Sequence, residues 1–196
     1  MNVIKVILVV VFFNLCTCYG NASTRIKLNF DFDWKFSLTD NPGYVAIDYN
    51  DTDWEQVQLP HDWNIKQKID SKGIGSAAYL PEGIGWYRKT FFVPQSYKGR
   101  SVSILFDGIF QQSDVYINGK HLGHRPYGFC SIEYDLTPHL QIGKENIIAV
   151  RVNTTGGRPR WYAGAGIYRH AWLTAVNPVH VTTYGTYVTT PEATET

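Results

Sequence analysis

Past the first two dozen residues the chain alternates, apolar against polar, in short runs divided by turn residues. In 101–106, Val102, Ile104 and Phe106 fall on one face and serines fill most of the other, which is the period of a half-buried strand. Asp114-Val115-Tyr116-Ile117 runs into Asn118-Gly119 and out through Lys120-His121-Leu122. An Asn-Gly pair between strand-like residues predicts a tight hairpin, because both central positions of a type I′ turn need positive φ. Cys130, Ile132, Tyr134 and Leu136 alternate with Ser131, Glu133 and Asp135 up to Pro138. Ile148, Val150 and Val152 line one face of the next run, with Ile147, Ala149 and Arg151 opposite, and 168–176 gives another. Turn signals at Pro94, Lys98-Gly99, Gly143-Lys144, Gly156-Gly157 and Asn177-Pro178 separate the runs. No helical period competes, so the pattern predicts an all-β, antiparallel sandwich or jelly roll over residues 23–188.

Two stretches break the alternation and read as long loops: 66–85, and 154–166 with Arg158, Arg160, Trp161 and Tyr162 among four glycines. Long loops on a rigid β scaffold are where function concentrates. The polar tail 189–196 reads as a linker.

The amino end is a separate unit. Lys5, an apolar run over 6–13 and a small, polar stretch over 14–22 have the layout of a secretory signal peptide, too short for a transmembrane span. Cleavage after Gly20 or after Ala22 is expected, with export to a bacterial periplasm or cell surface. Leu15-Cys16-Thr17-Cys18 also faintly resembles a lipobox, which would anchor the chain through Cys18. Removing 1–22 takes away Lys5 and leaves 17 basic against 17 acidic residues, with Cys130 as the remaining cysteine. An intrachain disulfide is thereby excluded. The whole chain carries a net charge of +1 without a basic stripe, so nucleic acid is not an expected partner.

Several motifs lose their chemical reading in context. Gly73-Ile74-Gly75-Ser76-Ala77-Ala78 fits a dinucleotide fingerprint but runs into Pro81 instead of a helix. His121 and His124 stand three apart in a predicted strand, where side chains point to opposite faces and chelate poorly. No metal and no cofactor is expected. His61-Asp62 lacks a nucleophile motif, and its neighbours Leu59, Pro60 and Trp63 point to an anchored segment. The acidic residues fall mostly at turns, and no catalytic pair stands out. The loop Arg158-Pro159-Arg160-Trp161-Tyr162 is different. Its rings can stack on the C–H faces of sugars and its guanidiniums can bond their hydroxyls; packing against a neighbouring domain is the other reading.

Four segments together resemble one family. Trp54-Glu55-Gln56-Val57-Gln58-Leu59-Pro60-His61-Asp62-Trp63, then Gly85-Trp86-Tyr87-Arg88-Lys89, then Asp107-Gly108 with the Val115 to Gly119 hairpin, and Arg160-Trp161-Tyr162-Ala163-Gly164-Ala165-Gly166-Ile167-Tyr168-Arg169 are similar, in order, to motifs of glycoside hydrolase family 2. The resemblance implies a jelly-roll, galactose-binding-like domain of the β-galactosidase, β-mannosidase and β-glucuronidase group. In that group an immunoglobulin-like sandwich and a (β/α)8 barrel follow, and the barrel supplies both catalytic glutamates of a retaining mechanism. This chain is thus expected to hold no catalytic residue and to be inactive alone. Its expected partners are a catalytic barrel of the same or a neighbouring chain and a carbohydrate, a β-galactoside or plant polysaccharide fragment. A stand-alone carbohydrate-binding module and a structural docking domain are the alternatives. By resemblance, Arg158, Arg160, Trp161, Tyr162 and Gly164 form the sugar-facing or barrel-facing loop. Trp63, Trp86, Tyr87, Arg88 and Arg169 form the structural motif, with Arg88 and Arg169 expected to pair with carboxylates such as Asp62. The family's sugar-contacting aspartate has no counterpart between Arg151 and Arg169, which favours packing against the barrel for that loop.

Overall fold

The computed structural model describes residues 25–73, 75, 78–157 and 159–192. The expected signal peptide, with Cys18, lies outside these residues, as do Arg158 and the last four residues of the tail. Among the described residues ten strands form two sheets, with every pairing antiparallel. The smaller has the order β1 (Arg25–Asn29), β10 (Ala171–Val176), β5 (Ser101–Phe106), β8 (Ile132–Asp135). The larger runs β3 (Glu55–Val57), β2 (Trp34–Ser37), β4 (Ile84–Phe92), β9 (Glu145–Asn153), β6 (Ser113–Ile117), β7 (Lys120–Arg125).

The alternating positions become the inner faces. Val102, Ile104 and Phe106 of β5 meet Val115, Ile117, Ile148, Val150 and Val152 in one core cluster. Trp34 fills the centre. Its ring meets Tyr87 edge-on at 6.4 Å and crosses to Phe106 of the other sheet at 6.3 Å, while its indole N–H donates to the Phe30 carbonyl at 2.8 Å. A buried tryptophan therefore contributes its full apolar area without an orphaned donor. Asn118 and Gly119 both hold positive φ, 47° and 77°, so the hairpin joining β6 to β7 has the turn its sequence predicts.

The opposite face of the six-stranded sheet is also covered. Segment 38–54 lies over it and seats Tyr44 beside Trp86 and Ala149. Polar ties hold this cover down. Asp40 accepts from the Trp86 indole at 2.9 Å and from Arg151 at 2.9 and 2.7 Å. Asp51 accepts from Lys35 at 2.6 Å and from Arg88 at 2.9 Å. Arg88, 1% exposed, also donates to the Tyr44 carbonyl and lies 5.5 Å from the Tyr49 ring. Asp51 is thus the carboxylate that pairs with Arg88, correcting the expected pairing with Asp62. Alternation along β4 sends Arg88 to the face opposite Tyr87, away from that aspartate.

Two further readings change. Residues 168–170 do not join the last strand, which begins at Ala171, because His170 and the Ala171 amide are drawn to Asp31 at 2.7 and 2.8 Å. His121 and His124 do not point to opposite faces. A bulge between the pairs at Val115 and Tyr116 sets His121 opposite Tyr116 and His124 opposite Asp114, so both imidazoles reach Asp114 Oδ1, at 3.0 and 3.1 Å. Among the described residues, no set of three such side chains is arranged to hold a metal ion.

After β10 the chain crosses the four-stranded sheet between its two edge strands. Arg25 of β1 donates to the Val181 carbonyl, Thr183 donates to Glu133 of β8 at 3.0 Å, and Ser131 reaches the Tyr184 hydroxyl at 3.3 Å.

Replacing Arg88 with alanine leaves Asp51 partly buried with Lys35 alone, so the variant is expected to lose about 3 kcal/mol in urea denaturation; an unchanged midpoint would exclude a stabilising pair. The same carboxylate gives a pH dependence. Burial opposes the charge of Asp51, but the hydrogen bonds from Lys35 and Arg88 outweigh it and hold the carboxyl below its usual 3.8. Its contribution is therefore complete above the unfolded value and is lost as pH falls through the lower folded value. Stability measured across the acid limb should drop below about pH 4, and Asp51→Asn should flatten that drop.

Candidate functional site

One end of the sandwich gathers three loops around two adjoining depressions. The first loop, residues 59–66, is laid against residues 165–167 by backbone bonds from His61 N to Ile167 O at 2.8 Å and from Trp63 N to Ala165 O at 3.1 Å. Asp62 projects between them. Its Oδ1 accepts from the amides of Asn64 at 2.9 Å and Ala165 at 3.1 Å, and its Oδ2 accepts from the Tyr162 hydroxyl. The same side chain thus caps the short turn Trp63–Lys66 and pins the second loop.

That second loop bends where its glycines allow. Gly164 has φ +78°, and a Cβ there would sit 3.1 Å from Asp62 Oδ2; Gly166 has φ +120°, and a Cβ would stand 2.2 Å from the Tyr87 hydroxyl. Neither position tolerates a side chain. Gly166 further bridges Phe110 through paired backbone bonds of 2.8 and 2.9 Å. Trp161 and Tyr162, fixed at the crest, remain 59% and 41% exposed.

The third loop joins β7 to β8 and adds rings with no sequence proximity to the others. Phe129 packs on Phe110 at 5.3 Å, on Tyr127 at 5.6 Å and on Trp161 at 5.9 Å. Tyr168 ties this loop down by donating to the Gly128 carbonyl at 2.9 Å. The result is a partly exposed aromatic shelf of Tyr127, Phe129 and Trp161.

Beside the shelf lies a depression of about 510 Å³ lined by Pro60, His61, Asp62, Tyr162 and Arg169 among others. Phe129, Tyr168 and Arg169 also line a second, of about 500 Å³, with Asp107, His170 and Tyr184. Beneath them His61 Nδ1 meets the Tyr87 hydroxyl at 2.8 Å. Burial pushes the imidazole below its usual 6.5 and the Tyr87 phenol well above 10.0. Both are neutral at pH 7. His61 Nε2 is buried with no hydrogen-bond partner among the described residues.

Of the residues singled out from the sequence, Arg160, Trp161, Tyr162, Gly164 and Arg169 come together at this end, with Trp63 and Tyr87 buried beneath. Trp86 and Arg88 lie on the far side of the six-stranded sheet. Arg169 does not pair with Asp62; it lies exposed with its guanidinium 5.4 Å from the Tyr168 ring centre. Arg158 falls outside the described residues. Sequence reasoning missed Asp62 as the acceptor that organises the loop, and missed Phe129 and Tyr127. The paired aromatics in Tyr127-Gly128-Phe129 were the signal available for the latter. The carboxylates at this end are hydrogen-bonded within the domain, Asp62 as above and Asp107 by the Trp172 indole at 2.8 Å.

A jelly-roll sandwich with an aromatic-rimmed depression at one loop end defines a class, that of the accessory β domains of carbohydrate-active enzymes. The chain belongs to glycoside hydrolase family 2, matching "Glycosyl hydrolases family 2, sugar binding domain" over residues 27–175. It is 44% identical to the β-galactosidase BoGH2A of Bacteroides ovatus over 184 residues, 92% of this chain and 22% of that protein. A β-glucuronidase of Formosa agariphila is 38% identical over 191 residues, 85% of this chain and 20% of that protein. The crystal structure of a β-glycosidase from Bacteroides vulgatus superposes with a TM-score of 0.76 at 44% identity, covering 80% of this chain and 21% of the other. The chain thus spans about a fifth of the length of the relatives it matches.

Asp62→Ala removes acceptors for two amides and one hydroxyl. It should cost about 2 kcal/mol and speed hydrogen exchange at the Ala165 and Asn64 amides while leaving β5 and β9 protected. Uniform exchange across the chain would show that Asp62 does not organise the loop locally.

Proposed function

We propose that this domain is the non-catalytic leading unit of an exported family-2 glycosidase that cleaves terminal β-glycosidic bonds, β-galactosides being the first expectation. In this reading its loop end completes the substrate pocket of a catalytic barrel, and it turns over no glycoside by itself. The observation that carries the reading is the crest of the second loop. Asp62, Gly164 and Gly166 spend their conformational and hydrogen-bonding capacity on holding Trp161 and Tyr162 at the crest, where they stay 59% and 41% exposed. Relatives named β-galactosidase and β-glucuronidase support the hydrolytic context. The leader-like residues 1–22 support export to a periplasm or cell surface, with acylation of Cys18 as one route to anchoring.

Docking without sugar contact is the second reading. It is favoured by the apolar residues beyond β10, where Val179, Tyr187 and Val188 are 94%, 90% and 81% exposed.

Titration of the chain with methyl β-D-galactoside, followed by NMR, separates the two. Sugar contact predicts shifts confined to the three loops and an affinity about fivefold weaker in Trp161→Ala, the loss of about 1 kcal/mol of stacking, with the thermal midpoint unchanged. No shift at saturating sugar would leave docking as the role of this end.

A further inference from the structure

The Asn-Gly pair that turns the hairpin between β6 and β7 carries a reactivity of its own. Glycine has no side chain to shield its backbone nitrogen, which can attack the amide carbon of a preceding asparagine and expel ammonia. Asn118 is the asparagine that glycine follows in this chain. In the folded domain its side-chain amide is fully engaged. Nδ2 donates to the His139 carbonyl and to Asn146 Oδ1, both at 2.8 Å, and Oδ1 accepts from the Ile147 amide at 2.9 Å. Its backbone N–H donates to the Ile147 carbonyl at 2.8 Å. One residue thereby ties the hairpin to β9 and to the turn at Thr137–His139. Asn146, 1% exposed, fixes which way round the two amides stand. Its Oδ1 also accepts from the Gln141 amide at 2.7 Å, and its Nδ2 donates to the carbonyls of Gln141 and Lys144 at 2.9 and 3.0 Å. Turning either amide over would set oxygen against oxygen and N–H against N–H, so the backbone dictates both orientations.

We infer that Asn118 is a modification site gated by folding: the clasp with His139, Asn146 and Ile147 suppresses its deamidation, and deamidation of an opened chain prevents the hairpin from closing again in its native form. In the reaction the Gly119 nitrogen gives up its proton to solvent and bonds to Asn118 Cγ. The bond from Cγ to Nδ2 breaks, and Nδ2 leaves as ammonia. Water then opens the cyclic imide at one carbonyl or the other, leaving aspartate or isoaspartate. The atom that leaves is the one that donates to His139 and Asn146, so both bonds must break before it can go. The carboxylate that replaces it faces the His139 carbonyl and Asn146 Oδ1, acceptor against acceptor, which costs more than a bond merely lost. Isoaspartate also adds a carbon to the main chain of a turn whose length sets the pairing of its strands. Opening that is reversible at first thus becomes irreversible through chemistry in the open state.

The test incubates the whole chain at mildly alkaline pH, folded in buffer and unfolded in urea, and maps the peptide around Asn118 by mass spectrometry with aspartate and isoaspartate resolved. A reaction confined to opened molecules follows their population, so the folded chain should deamidate at Asn118 at least about tenfold more slowly than the unfolded one. When the urea is removed, the refolded fraction should be depleted of modified molecules. Two variants separate the new charge from the lost bonds. Asn118→Gly keeps a residue suited to the turn and loses the side-chain bonds, whereas Asn118→Asp puts the carboxylate in place. Asn118→Asp should melt about 5 °C below the wild type and below Asn118→Gly as well. Equal deamidation rates in folded and unfolded chains overturn the gating. Modified molecules that refold with the wild-type midpoint, or an Asn118→Asp variant no less stable than Asn118→Gly, overturn the block to closing. Should Asn118→Asp not fold, refolding of the deamidated wild-type chain decides alone.

Discussion

The structure hangs on the alternation of side chains along β4. This strand occupies the middle of the six-stranded sheet, between β2 and β9, and successive residues must face opposite sides. Tyr87 goes inward, where its ring packs on Trp34 and its hydroxyl holds His61. Trp86 and Arg88 go outward, where they fasten Asp40 and Asp51 and with them the whole cover segment. Gly85 is compressed on the inner side, where a Cβ would meet Phe36 at 2.7 Å and Trp63 at 2.8 Å. A slip of one residue would set the guanidinium in the core away from Asp51 and the phenol under the cover away from His61, so the register of β4 fixes the core, the outer cover and the floor of the candidate site at once.

Local pattern sufficed for the scaffold and not for the site. The β5 and β9 faces were legible because burial on one side forces the period of two, and the turn after Ile117 was legible because Asn and Gly tolerate the φ values it needs. The loop 154–166 was legible as a place, from its glycines and its exposed rings. What occupies that place with it was not. Asp62 lies about a hundred residues from Tyr162, and the bond between them exists because 61–63 pairs with 165–167, a long-range pairing without a periodic signal. Phe129 reaches Trp161 by the same kind of convergence. The bulge at His121 shows the limit most plainly: a single unpaired residue, Leu122, reverses which face every later side chain takes. Arg88 was correctly marked as needing a carboxylate, but its partner is chosen by strand alternation and loop path together, and only the first of these is written locally.

Burial separates the charges of this domain into two populations. On the outer face of the larger sheet, Arg88, Lys35 and Asp51, and Arg151 with Asp40, are matched within hydrogen-bonding distance, and these pairs hold a cover segment in which Trp54 and Tyr49 pack on Tyr44. At the loop end the matching is one-sided. Asp62 there accepts from the amides of Asn64 and Ala165, whereas Arg169 stands against the Tyr168 ring.

The path of the chain after β10 bears on how such an end would be used. The segment crosses the four-stranded sheet and reaches the second depression at Tyr184, whose hydroxyl meets Ser131 next to Cys130. Loop end and tail are thereby neighbours, although β10 itself starts at that end and runs away from it. A rigid sandwich transmits little by itself, but a tail tied at Val181, Thr183 and Tyr184 sets the direction in which Tyr187 and Val188 leave.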